Sequence, residues 1–229
     1  MLFDLHLHSR YSVDALTKPE TIVKIMKKNK FGFSLTDHNN VDAYTKGKIT
    51  QLAKKEGVFL IPGEEIKVLE NTSSDAKCVG EVIGYFLQKE IKPSTFESIF
   101  DQIKEQDALL SCPHPFDWPR KNFKEFPSLW KKFDAMEVYN ARAYYQGLNK
   151  KSVDFFETVA KGKIAPLANS DAHTPEELGN GLTEIDAENE TEFRKAIKKR
   201  QTIPIPMGKA NLWHHFQTQM ARKHWMKER

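Results

Sequence analysis

The chain has 229 residues, 39% of them hydrophobic and 29% charged, with a net charge of +4; this describes one sizeable globular domain and excludes a disordered or fibrous chain. No run of 18 or more apolar residues occurs, and MLFDLHLHSR carries charge and histidine where a signal peptide needs an apolar stretch, so neither membrane insertion nor export is expected and the setting expected is cytoplasmic. Two cysteines in unrelated contexts, Cys78 and Cys112, exclude a disulfide framework and a thiolate zinc knuckle.

Short apolar runs alternate with helical patterns, as βα units do. Leu2–His6 predicts a first strand, and Pro19 opens a helix running to about Asn29. Phe33–Thr36 predicts a second strand, followed by one helix over Asp42–Glu56 and a third strand at Val58–Pro62. Residues 71–77 read as a turn and Val79–Leu87 as a strand, so 66–87 predicts a hairpin. Pro93-Ser94 starts a helix that ends before a strand at Ala108–Cys112. Later strands are expected at Phe133–Val138 and Ile164–Ala168, with helices near 147–161 and 189–200. In a terminal helix over Leu212–Lys227, the spacing by four of Leu212, Phe216 and Met220 predicts a stripe packed against the rest of the molecule. Nothing marks a linker or repeat. The expectation is a single domain over 1–229, with 205–229 as a basic helical extension.

The charge is uneven. Residues 194–229 hold ten Lys/Arg and one acid, while the rest of the chain carries 25 basic and 30 acidic side chains. A basic tail leaves binding of nucleic acid open. Cations closing two solvated helices would give the same composition.

Five of the eight histidines sit at predicted strand ends beside other ligand-type side chains. His6-x-His8 ends the first strand, where residues i and i+2 share a face, so both imidazoles can converge on one ion. Thr36-Asp37-His38 ends the second strand, Gly63-Glu64-Glu65 follows the third, Pro113-His114-Pro115 follows Ala108–Cys112, and Ser170-Asp171-Ala172-His173 follows Ile164–Ala168. Any one of these alone reads as a polar residue at a strand end. Their recurrence after successive strands points to one barrel rim, where βα barrels build active sites.

With Ser12-x-Asp14 just downstream of HxH, these motifs in this order resemble the polymerase and histidinol phosphatase (PHP) superfamily over residues 2–182, and most of all its small stand-alone phosphoesterases. The resemblance implies an α/β fold, a distorted (β/α)7 barrel of the TIM-like PHP type, with two or three divalent metals at the strand C-termini. It implies metal ligation by His6, His8, His38, Glu65, His114, Asp171 and His173, with Asp14 completing the site. Glu81 stands where several relatives have histidine, and a carboxylate there favours harder ions such as Mn2+. Asp37, Glu137 and Asn140 fit as supporting contacts behind the ligands, or as substrate contacts. Arg120 and Arg142 are the candidate phosphate-binding cations.

The implied reaction is metal-dependent hydrolysis of a phosphate ester by a metal-activated water, with the side-chain acid unassigned. The substrate would be a phosphorylated small molecule, a nucleotide or the end of a short oligonucleotide. Since five of nine proposed ligands are imidazoles, Mn2+, Zn2+ or Fe2+ is expected rather than Mg2+. Histidinol-phosphate phosphatase activity, a noncatalytic metal-stabilised nucleic-acid-binding module and an amidohydrolase-like metalloenzyme are the alternatives. No membrane and no obligate protein partner are expected.

Overall fold

The apolar runs form strands and the amphipathic segments between them form helices, in a computed structural model that describes residues 1–225. The strands are β1 (Leu2–Leu7), β2 (Phe31–Leu35), β3 (Leu60–Leu69), β4 (Cys78–Tyr85), β5 (Leu109–Cys112), β6 (Ala135–Asn140), β7 (Ala165–Asn169), β8 (Gly181–Ile185) and β9 (Thr202–Pro206). The helices are α1 (Pro19–Asn29), α2 (Asp42–Thr45), α3 (Ile49–Glu56), α4 (Phe96–Glu105), α5 (Phe126–Leu129), α6 (Gln146–Phe155), α7 (Glu190–Lys199) and α8 (Leu212–Trp225). All nine strands among the described residues belong to one sheet in the order β7-β6-β5-β4-β3-β2-β1-β8-β9.

Strands β1 to β3 run parallel, as do β5 to β7, and β4 lies antiparallel between the two sets. The reversed strand β4 comes from the expected hairpin. The result is an α/β fold with a nearly closed barrel-shaped sheet. Closure between β1 and β7 relies on few direct backbone bonds. His8 N–H donates to Ala172 O at 2.8 Å and Asp171 N–H to His6 O at 2.7 Å. The Asn169 side chain accepts from Leu5 N–H at 3.0 Å, and the Asp4 carboxylate accepts from Ser170 N–H at 3.1 Å. Thr183 of β8 completes the seam, exchanging hydrogen bonds with the backbone of Ala168.

Apolar packing fixes this frame on both faces. Phe3, Leu5, Ile61, Ile83, Leu109 and Leu167 cluster from five strands, and α7 adds Phe193 and Ile197. Outside, Ile22, Met26 and Ala53 of α1 and α3 cover Phe33 and Leu35, while Ile99 and Ile103 of α4 cover Val82 and Leu110.

Several expectations need correction. The helix over Asp42–Glu56 is broken in two: Lys46 and Gly47 N–H both bond Asp42 O, and Lys48 turns left-handed at φ 52°. Strand β3 runs on to Leu69, so Gly63-Glu64-Glu65 lies within a strand instead of after one. Helix α4 begins at Phe96, where the Thr95 hydroxyl accepts from Ser98 N–H. Strands β8 and β9 were not expected.

The largest correction concerns α8. Leu212, Phe216 and Met220 are 84%, 52% and 50% exposed, so the stripe faces outward. The opposite, polar face meets the barrel mouth, where Arg142 Nη2 donates to Thr218 Oγ1 at 3.1 Å and the His215 ring stacks on Tyr144 at 4.8 Å. Polar contacts to a buried arginine decide the orientation over the apolar spacing. Lys227 and Arg229, part of the expected basic tail, lie outside the described residues. Among the described residues no helix is long and apolar enough to cross a membrane.

Candidate metal centre

The C-terminal ends of the parallel strands deliver the ligand-type side chains to one place. His6 is in β1 and His8 just beyond it; Asp37 and His38 follow β2, Glu65 lies in the extension of β3, His114 follows β5, and Asp171 and His173 follow β7. Two of these positions have an unusual backbone. His114, held between two prolines, has φ 30°, and Asp171 has φ 54°. Left-handed backbone at non-glycine residues costs about 1–2 kcal/mol each and persists where surroundings enforce it.

Four overlapping groups each bring three donor atoms within 4.8 Å of one another: His8/His38/His173, His6/His8/Asp171, His6/Glu65/His114 and His38/Glu65/Glu81. Asp14 joins them, its Oδ1 lying 3.5 Å from His38 Nε2 and 3.6 Å from His173 Nε2. All nine proposed ligands thus sit together.

Hydrogen bonding behind the cluster assigns the imidazole protons. Glu137 accepts from His6 Nδ1 at 2.8 Å, which turns His6 Nε2 toward the cluster. The Ser12 hydroxyl donates to Asp37 at 2.7 Å, which leaves its oxygen to accept from His8 Nδ1 at 3.3 Å and bares His8 Nε2. His173 Nδ1 donates to Asp171 O at 2.8 Å and bares His173 Nε2. His6 Nε2 and His8 Nε2 then face each other at 3.1 Å, a contact that one shared proton satisfies and that a bound cation could replace.

Around them, His38 Nδ1 lies 2.9 Å from Glu65 Oε2, and His114 Nδ1 and Asp14 Oδ1 are buried without a hydrogen-bond partner. Buried polar atoms are seldom left so. The donor set, mixed imidazole and carboxylate with orphaned lone pairs, fits divalent transition metals.

Charge is balanced without metal by protons and arginine. Burial alone would lower the His6 pKa, but Asp171, Glu65 and Glu137 raise it well above the usual imidazole value. Burial alone would raise Asp14, and His38, His173 and His8 bring it down to about 2. Glu65 and Asp171 are also held well below the ordinary carboxylate range against burial, chiefly by His6, with His38 helping for Glu65 and Arg120 for Asp171. His173 is pushed well below the imidazole value by burial and by Arg142, which keeps its lone pair available. The same proximity that stabilises bound protons would favour their replacement by dications.

The two arginines differ. Arg120 donates to Asp117 at 2.7 Å, to Asn140 at 3.0 Å and to Asp171. Arg142 is buried, with Nη1 bonded to both oxygens of Glu177 at 2.7 and 2.8 Å. Glu81 lies 3.4 Å from Lys121 and 4.0 Å from His38. Asn140 bonds both Glu137 and Asp171, joining two sides of the cluster. The cluster floors a cavity of about 300 Å3, and His215, Thr218, Gln219 and Arg222 of α8 form part of its wall.

The sequence reading did not single out several residues that shape this site. Asn169 donates to Glu137 at 2.9 Å, and Glu177 accepts from His173 N–H and Thr174 N–H, each at 3.0 Å. The signal for Glu177 was legible, because Thr174-x-x-Glu177 is a capping box. His215 had none, since a lone histidine in a basic tail is ordinary.

Residues 149–202 match a family model described as PHP-associated. The chain is 33% identical to uncharacterized protein MJ0417 of Methanocaldococcus jannaschii, over 94% of this chain and 90% of that protein. Its fold resembles a two-domain protein of Bacteroides vulgatus containing a predicted PHP-like metal-dependent phosphoesterase, with TM-score 0.69 and 20% identity over 90% of this chain. The chain spans 64% of that two-domain protein's length. It also resembles an amidohydrolase of Chromobacterium violaceum with bound sulfate and no metal, at TM-score 0.58 and 12% identity, covering 88% of this chain and 97% of that one. With a relative of this identity matched along almost its whole length, a PHP-associated segment and a nearly closed α/β barrel, the chain belongs to the PHP superfamily.

Proposed function

We propose that the protein is a metal-dependent phosphoesterase whose ions are held by His6, His8, Asp14, His38, Glu65, Glu81, His114, Asp171 and His173. The observation that carries this reading is the convergence of the Nε2 atoms of His6, His8 and His173, each with its Nδ1 engaged elsewhere, on the carboxylates of Asp14, Glu65 and Asp171. Two or three divalent ions, Mn2+, Zn2+ or Fe2+, would supply an activated water and offset the charge of a phosphate dianion.

The remaining work belongs to the chain. Glu137 and the Ser12–Asp37 pair hold His6 and His8 in the tautomer that presents Nε2. Arg120, already against Asp171 and Asn140, and Lys121 stand on the rim, where their N–H groups can meet phosphate oxygens. Asp171 accepts from Arg120, so a phosphate would have to share this guanidinium with a proposed metal ligand. The cavity volume suits a phosphomonoester, a nucleotide or the end of a short oligonucleotide.

The test is turnover of phosphomonoesters and short oligonucleotides by protein reconstituted with each ion. Two or three ions per chain and metal-dependent release of phosphate are expected. A chain that binds no transition metal would refute the reading. One that binds metal and nucleic acid without turnover would be the noncatalytic module instead.

A further inference from the structure

The polar face of α8 is turned toward the metal cluster while its apolar face is turned to solvent. The segment leading into it is stitched to the mouth: Met207 and Gly208 N–H bond Asn180 O at 3.0 and 2.8 Å, and Ala210 N–H bonds Ala141 O at 2.9 Å. Within α8, the Thr218 hydroxyl donates to His214 O at 2.9 Å and accepts from Arg142 at 3.1 Å. Arg142 is in turn anchored on Glu177, which also holds the backbone of His173. A continuous chain of hydrogen bonds thus runs from a proposed ligand to α8, and the helix is a fixed wall of the cavity.

The cations lining this cavity are unequal. Arg120 is paired with Asp117 and Asp171, Lys121 with Glu81, and Arg142 with Glu177. Among the described residues, Arg222 alone of the four lining cations has no carboxylate partner. His215 beside it is brought down to about 4 by burial and by Arg142 and Arg120, so it adds a neutral hydrogen-bonding ring and no charge. Arg222 and Gln219 stand on the helix, on the wall of the cavity above its carboxylate and imidazole floor. A guanidinium there, without a carboxylate partner among the described residues, is placed to pair with an anion.

Resting on the phosphoesterase reading, we infer that α8 determines specificity, and that Arg222 selects phosphomonoesters whose alcohol portion carries a second anionic group. The phosphate sits at the metal cluster, and the second anion reaches the helix.

The matched probes are 3-phosphoglycerate and glycerol 3-phosphate, which are similar in size and differ by a carboxylate. Kd by calorimetry and KM by phosphate release are measured on the metal-loaded full chain. Wild type is expected to favour 3-phosphoglycerate at least fivefold in both quantities. Arg222→Met is expected to collapse that ratio to near one through KM, with Arg222→Lys restoring part of it. Lys223→Gln, one position along and outside the cavity lining, is expected to keep the wild-type ratio. A wild-type ratio near one, a ratio that survives Arg222→Met, or an equal loss in Lys223→Gln would overturn the inference while leaving the phosphoesterase reading intact. A metal-loaded wild type that neither binds nor hydrolyses any phosphomonoester would remove that reading, and this inference with it.

Discussion

Replacing Glu137 with glutamine tests how far the metal centre depends on a residue that need not touch the ions. The Glu137 carboxylate is buried and takes four donors on two oxygens: His6 Nδ1 at 2.8 Å and Asn169 Nδ2 at 2.9 Å on one, His114 N–H and Asn140 Nδ2, both at 2.8 Å, on the other. Burial alone would raise its pKa, but His6 brings it below the ordinary value, so it is anionic at neutral pH. Glutamine keeps the shape and turns one oxygen into an NH2 group. If the NH2 faces His114, it meets a backbone N–H that cannot reverse. If it faces His6, the imidazole relieves the clash by moving its proton to Nε2, where the ion would bind. One lost hydrogen bond to a charged group costs roughly 1.5–3 kcal/mol. In a domain of this size that lowers Tm by roughly 3–12 °C in the metal-free protein. Loss of such a supporting contact weakens metal binding by about 10–100-fold. Thermal unfolding after chelator treatment reads the first effect, and competition with a chromogenic chelator reads the second. Stability and metal affinity both within about 0.5 kcal/mol of wild type would refute the role given to Glu137.

Other expectations are more direct. His8→Ala and Asp171→Ala should each abolish metal-dependent turnover while circular dichroism shows an intact fold, and retained activity in either would mean the site is misplaced. Burial raises Glu64 to about 8, with Ile91 N–H as its hydrogen-bond donor. Its carboxyl is therefore neutral in the folded protein below that pH and must ionise at a cost above it. Wild-type stability should fall as pH rises from about 5 to 9, by on the order of 4 kcal/mol. Glu64→Gln should flatten that fall in chemical denaturation, and an unchanged slope would contradict the assignment. A Cβ added at Gly181 would lie 2.3 Å from the carbonyl oxygen of Asn169. Gly181→Ala should thus lower Tm and, by displacing Asn169 from Glu137, reduce metal affinity; a variant with wild-type values in both would show that β8 yields freely.

The candidate site was legible because its chemistry is concentrated: histidine, aspartate and glutamate at successive strand ends are rare and adjoin apolar runs that set their direction. What the spacing could not carry was the direction of α8. A stripe of Leu212, Phe216 and Met220 predicts an apolar face but says nothing of a competing face, and the partner of Thr218 is Arg142, 76 residues away. Strand β9 was hidden for a different reason. Thr202–Pro206 carries prolines at alternate positions, which argues against a central strand; β9 lies at the end of the sheet order, where missing N–H groups are tolerated. The break at Gly47-Lys48 likewise arises from a left-handed lysine, which helix propensity alone does not favour.

The incomplete ladder between β1 and β7 gives the barrel a mechanical weak line, and the candidate metal centre lies across it. His6 and His8 stand on one side of that line and Asp171 and His173 on the other. Ions bound by both sides would act as a clasp: opening the seam would require releasing them, and filling the site would hold the two edges shut. Amide protons of Leu5, His8 and Ser170 would then exchange more slowly in the metal-loaded protein, while those deep in the β2–β3 ladder would scarcely change. Catalytic competence and the rigidity of the barrel's last joint would rise together as metal is taken up.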